Sequence, residues 1–169
     1  MTNLKNFYRT HRAALWVFLI VALCFSYFSS RYKIGIAYDS ALPCINAKLV
    51  IIDKWQRDVP VGALATFRNF ADNEFFPEGL LWTKIVAAKE GQQVRVELDE
   101  MIVDESTHYR LSLNYLLPNI EQTEEELVRT HTVESDHYFM VGETITSYDS
   151  RYWGSVPQEN IIGRAYVIF

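Results

Sequence analysis

From Ala13 to Ser30 the chain runs for 18 residues without a charge, AALWVFLIVALCFSYFSS. As a helix this run rises about 27 Å, near the lower end of what spans a hydrocarbon core. It predicts an N-terminal transmembrane anchor over residues 13–30, with residues 1–12 before it and a single domain, residues 31–169, after it. A cleaved signal peptide is the alternative, since its apolar part runs about 7–15 residues. The anchor fits better: the run is longer than that, and the exit SYFSSRYK offers no small-x-small cleavage site.

Beyond the run the apolar positions fall into short segments: Lys48–Asp53 (KLVIID), Gly62–Phe67 (GALATF), Lys84–Ala88 (KIVAA), Gln93–Leu98 (QVRVEL) and a closing Arg164–Phe169 (RAYVIF). Polar residues, Gly and Pro separate them, and QVRVEL alternates as a strand with one wet face should. The pattern predicts a mainly β fold, a barrel or folded sheet rather than a βαβ arrangement. One stretch departs from it. Glu121–Arg129 (EQTEEELVR) is acidic, helix-prone and follows Pro118, so it predicts a short helical excursion with a solvated acidic face.

Composition narrows the function. Hydrophobic residues make up 49% and aromatics 14%, which indicates a packed protein. The net charge of -5 and the lack of a basic, aromatic-interleaved cluster disfavour a nucleic-acid partner. Cys24 lies inside the apolar run and Cys44 outside it, so a disulfide between them is not expected. The four histidines show no ligand spacing, and neither a metal nor a cofactor is implied. Lys5, Arg9 and Arg12 precede the run, against Arg31 and Lys33 close behind it. That slight bias predicts a cytoplasmic N-terminus and, in a bacterium, a periplasmic domain on the inner membrane.

The candidate chemistry is carried by three fragments. Ser40 sits in Tyr38-Asp39-Ser40-Ala41-Leu42-Pro43, which alone reads as a turn. Lys84 opens Lys84-Ile85-Val86-Ala87-Ala88-Lys89-Glu90-Gly91, which alone reads as an edge-strand surface lysine. The third is Ser147-Tyr148-Asp149-Ser150-Arg151-Tyr152-Trp153-Gly154-Ser155-Val156-Pro157, followed by Ile161-Ile162-Gly163-Arg164-Ala165. It resembles the C-terminal signature of type I signal peptidases, S-x-D-S-R-Y-W-G-x-V-P and then I-x-G-[KR]-A. With that block fixed, Ser40-Ala41-Leu42-Pro43 resembles the family's S-M-x-P nucleophile box, and Gly62–Phe67 its G-D-[IV]-V-x-F strand. Lys84–Gly91 is similar to K-R-x-x-G-x-P-G, and Gly142-Glu143 to the Gly-Asp that opens the last box.

The resemblance implies a Ser/Lys dyad, with Ser40 as nucleophile, Lys84 as general base and Ser147 orienting the lysine. Asp149 and Arg151 would brace the site structurally. The Ser40 backbone N–H would be the first oxyanion donor. The family's second donor is a hydroxyl two residues before the nucleophile, where this chain has Tyr38. Other departures are Cys44 for Thr, Ala63 for Asp, Ile85 for Arg, Ala88 for Gly and Glu90 for Pro. Residue chemistry favours the same lysine independently. A lysine base must be neutral, burial penalises an ammonium, and Lys84 precedes four apolar residues whereas Lys89 adjoins Glu90. Tyr152 and Trp153 read as core or interface aromatics.

The implied partners are a signal-peptide-bearing pre-protein and the lipid of the inner membrane. The short chain and loosened motifs resemble family members encoded with conjugative-transfer and pilus systems, which makes a pre-pilin a candidate substrate. An acyl-enzyme can be captured by water or by an amine, so hydrolysis and pilin cyclisation both remain open. A catalytically silent periplasmic scaffold of a secretion or pilus system is the reading of another class.

Overall fold

The computed structural model describes residues 2–36, 44–70 and 79–169, the first nine of these as backbone only. Helix α1 covers Thr2–Arg31, extending past both ends of the apolar run because the flanking polar residues carry no helix breaker. Its stretch His11–Arg31 is long and apolar enough to cross a membrane, about 30 Å at the helical rise, and lies free of the protein core.

The chain then enters strand β1 (Tyr32–Ile36) with no intervening residue. Strands β2 (Leu49–Asp53), β3 (Leu64–Arg68) and β4 (Leu81–Lys89) follow. They join the later β9 (His137–Val141), β10 (Val156–Pro157) and β11 (Ile161–Val167) in a seven-stranded sheet of order β1-β2-β11-β3-β4-β9-β10. Every pairing in it is antiparallel. The mainly β expectation holds. Lys84, expected to open its strand, sits in the middle of β4, because Leu81 and Trp82 extend the strand towards its start.

Residues 101–138 do more than make a helical excursion. Strands β5 (Gln93–Val96), β6 (Met101–Val103), β7 (Thr107–Tyr109) and β8 (Arg129–Thr132) form a second antiparallel sheet of order β7-β6-β5-β8. The expected helix is a single turn, α2 (Glu124–Leu127), whose Glu126 carboxylate accepts the Thr123 N–H at 2.7 Å. Its three glutamates are exposed and Leu127 is buried, so the acidic face is solvated as its composition indicated.

β4 runs between two cores. On one side Val86 joins Val59, Phe67, Tyr138, Met140, Val156 and Ile161. On the other Ala87 and Ala88 meet Val94, Val96, Met101, Leu113, Leu127 and Phe139. A strand buried on both faces needs a near-continuous apolar run, which is why KIVAA does not alternate. The sheets are joined where Gly91, at φ +79°, turns the chain and its N–H reaches the Val133 carbonyl at 2.9 Å.

Candidate active site

Lys84 is fully buried. Its cross-strand neighbour is the small Ala65, and Phe67 pairs with Trp82 one step along the same face. The Lys84 Nζ lies 5.3 Å from the centroid of the Trp82 ring. The same Nζ donates to the hydroxyl of Ser147 at 2.8 Å. Among the described residues no carboxylate lies within salt-bridge distance of the amine. Lys89, the rejected candidate, is partly exposed and pairs with Asp58 at 2.5 Å.

Ser147 is held at this point by three contacts. A Cβ on Gly142 would stand 2.2 Å from the Ser147 Oγ and 2.6 Å from the carbonyl oxygen of Cys44, so only glycine lets the three approach. Arg151 Nη2 donates to the Ser147 carbonyl at 3.0 Å. The Ser147 N–H reaches the Thr144 carbonyl at 3.2 Å.

Asp149 and Arg151 are both fully buried, as a bidentate pair with Nε to Oδ1 at 2.8 Å and Nη2 to Oδ2 at 2.9 Å. The remaining valences are used as well. Asp149 Oδ2 accepts the Gly142 N–H at 2.9 Å, and Arg151 Nη1 donates to the Leu111 carbonyl at 2.8 Å. Such satisfaction is what permits a buried ion pair. Burial alone would raise the Asp149 carboxyl, but the charge and hydrogen bonds of Arg151 outweigh it, with Lys84 and the Gly142 N–H adding to them, and hold it below its ordinary value. Asp149 also caps the one-turn helix α3 (Ser150–Trp153) by accepting the Arg151 N–H.

Two further members of the site went unassigned in the sequence. Ser150 Oγ accepts the Met140 N–H at 2.9 Å, fixing β9 beside the block, and its place within the motif was the available signal. Glu143 is the other. Its N–H donates to the Cys44 carbonyl at 2.8 Å, and its Oε2 accepts the Asn46 N–H at 2.7 Å. Ser40 and Tyr38 lie outside the described residues, and the description resumes at Cys44, four residues after Ser40. Cys24 and Cys44 are both free thiols. Tyr152 is a core residue, stacked on Tyr148, and the partly buried Trp153 packs among Phe67, Phe70 and Trp82.

Beside Lys84 the sheet has an edge that is open among the described residues. Val86 exchanges main-chain hydrogen bonds with Gly62 and Ala63 on the β3 side. Alternation turns Lys84 the same way and Thr83 the opposite way. β9 pairs with β4 only from Ile85 onward, so the Thr83 N–H and carbonyl face an edge that no described strand covers. The Thr83 hydroxyl meets that of Thr66 at 2.8 Å.

Several known proteins are similar to this chain. Signal peptidase I of Buchnera aphidicola subsp. Acyrthosiphon pisum is 35% identical over 81 residues, covering 43% of this chain and 24% of its own length. Probable signal peptidase I-2 of Synechocystis sp. is 50% identical over 38 residues, 22% of this chain and 17% of that protein. Signal peptidase I of Aquifex aeolicus is 50% identical over 38 residues, 22% of this chain and 15% of that protein. The matches thus span about a quarter or less of these relatives. A crystal structure of a signal peptidase I from Enterococcus faecalis V583 superposes with a TM-score of 0.42 at 17% identity, over 64% of this chain and 97% of that one. The model of the family described as signal peptidase, peptidase S26, matches residues 8–169, nearly the whole sequence, and the chain belongs to that family.

Proposed function

We propose that the chain is a membrane-anchored serine endopeptidase that removes leader peptides from exported pre-proteins, with Ser40 as nucleophile and Lys84 as general base. The observation that carries this reading is the buried Lys84 amine, 2.8 Å from the Ser147 hydroxyl and walled by Trp82 and Ala65. The Cys44 carbonyl, four residues downstream of Ser40, packs against Gly142 in the same locus.

In the first step the Ser40 hydroxyl oxygen attacks the scissile carbonyl and its proton passes to Lys84 Nζ. The Ser40 backbone N–H supports the oxyanion. As the intermediate collapses, Lys84 returns the proton to the leaving amine and an acyl-enzyme remains. Water then attacks the ester, giving its proton to Lys84, and Ser40 leaves with that proton. Ser147 accepts no net charge; it orients the amine.

The substrate would add as a strand along the open edge at Thr83, using main-chain groups that have no described strand partner. Residues 1–12 would lie in the cytoplasm, 13–30 in the bacterial inner membrane and 31–169 in the periplasm, supported by the positive residues before the run. The loosened motifs favour a specialised substrate, a pre-pilin or other conjugative-transfer protein.

Co-expression of the chain with candidate pre-pilins tests this directly. Ser40→Ala and Lys84→Ala should each insert normally and leave the precursor uncut. Full processing by Lys84→Ala would refute the base, and processing by neither variant nor parent would favour a silent scaffold. The product mass separates hydrolysis from cyclisation, because a ring lacks the added water.

A further inference from the structure

The junction between α1 and the sheet is built as a clamp. Arg31, the last residue of α1, directs its guanidinium at the buried Asp53 of β2, with Nη2 to Oδ2 at 2.7 Å and Nε within 3.2 Å of both oxygens. Asp53 also accepts the Trp55 N–H at 3.1 Å and the Gln56 amide at 3.2 Å. The Arg31 guanidinium lies 5.0 Å from the Tyr32 ring centroid and 5.3 Å from that of Trp55, and it donates to the Tyr27 hydroxyl at 3.1 Å. The Tyr27 and Trp55 rings meet edge to face, 5.5 Å apart.

The C-terminal end of the helix backbone is held too. The Lys54 N–H donates to the Arg31 carbonyl at 2.8 Å and Lys54 Nζ to the Ser29 carbonyl at 2.9 Å, two of the acceptors a helix leaves without partners in its last turn. β11 closes over the same point. A Cβ on Gly163 would stand 2.2 Å from the Asp53 carbonyl oxygen, so the glycine is what allows this approach.

Elsewhere an anchor joined by a flexible linker would let its domain swing. Here no residue separates α1 from β1, and a side-chain fork, edge-to-face rings and backbone bonds tie the helix end to β2 and the residues just after it. Exposed Tyr27, Phe28 and Trp55 surround the joint, and Tyr and Trp are the residue types enriched at membrane–water interfaces.

We propose that Arg31 and Asp53 form a rigid joint at the bilayer surface that fixes the orientation of the β domain to its anchor, and so fixes how far from the membrane the substrate is cut. Arg31 is then a positioning residue. The inference rests on the proteolytic reading for the cut, and on geometry alone for the joint. Lysine cannot replace the fork, because it keeps the charge but not the bidentate geometry.

The full chain in liposomes tests both halves. Membrane-embedded precursors form a ladder in which the cleavage sequence stands at increasing spacing from the apolar segment. The parent should cut a narrow band of spacings. Arg31→Gln and Arg31→Lys should widen that band about twofold as the domain gains freedom, while cutting a detergent-soluble peptide with unchanged kcat and KM. Spin labels on Cys24 and on Lys48→Cys, with Cys44→Ser, should give a narrow distance distribution that broadens in both variants. An unchanged band together with an unchanged distribution overturns the joint. If the parent cuts no member of the ladder, proteolysis fails, and the label distances alone decide whether the joint is rigid.

Discussion

Arg151 Nη2 donates to the carbonyl of Ser147 at 3.0 Å, so the residue that meets Lys84 through its side chain is fixed through its backbone by a buried guanidinium. The two roles are separable. Ser147→Ala removes the partner of the lysine and leaves Arg151 its acceptor. A hydrogen bond to a group that carries charge during the reaction is worth about 1.5–3 kcal/mol, which predicts a fall in kcat on the order of 10- to 100-fold. KM should change little. Steady-state cleavage of a leader peptide, with circular dichroism as the check on folding, measures both.

Removing one member of the Asp149–Arg151 pair strands the other in the core. Asp149→Asn or Arg151→Leu should each cost about 3–5 kcal/mol in urea unfolding. The pH dependence has a defined sign. The folded Asp149 carboxyl lies below its ordinary 3.8, so its contribution is complete above that value and is lost as pH falls through the lower folded one. From neutral pH to about 4 this group therefore adds no slope to the urea midpoint, and its own contribution is lost only in stronger acid. Asp149→Asn should start lower at neutral pH and lose less on acidification.

Gly142→Ala places a methyl group where the Ser147 hydroxyl now is. Overpacking of this kind costs about 1–3 kcal/mol. Because the clash is with Ser147 and the Cys44 carbonyl, cleavage should fall further than stability does. Thermal unfolding and kcat measured on the same preparation would show the two effects side by side.

The Tyr152 hydroxyl is buried without a hydrogen-bond partner among the described residues. Such a group costs free energy relative to an apolar replacement of the same shape. Tyr152→Phe should be neutral, or more stable by up to about 1 kcal/mol. Burial pushes the phenol up to about 12, with Arg151 working against the rise. Alkaline titration followed by ultraviolet absorbance should therefore lose one late-titrating tyrosine in the variant.

Much of this arrangement can be read from residue order alone. The block from Ser147 to Ala165 is legible because its polar members are spaced for one local job: Asp149 caps a turn, and Arg151 reaches back to it two residues later. β5 is legible because Gln93–Val96 alternates exposed and buried positions. β6, β7 and β8 are not, since segments of three or four residues such as Thr107–Tyr109 are too short to show a period, and Arg129–Thr132 is polar throughout. α1 outruns the apolar stretch because a helix needs only the absence of breakers, whereas hydropathy marks only what lipid would tolerate. The approach of the Cys44 carbonyl to Gly142 leaves no trace in side-chain chemistry, for a carbonyl is common to every residue.

The bond from the Asn46 N–H to the Glu143 carboxylate joins positions 97 apart in the chain. During synthesis the amino-terminal partner exists long before its acceptor does. Contacts of such separation form late in folding, after the intervening loop has been closed. The segment that resumes at Cys44 is therefore tied to the turn after β9 only when translation is almost finished. On the proposed dyad, the neighbourhood of Ser40 would gain this restraint only at the end of synthesis, which would guard neighbouring unfolded polypeptides from premature attack.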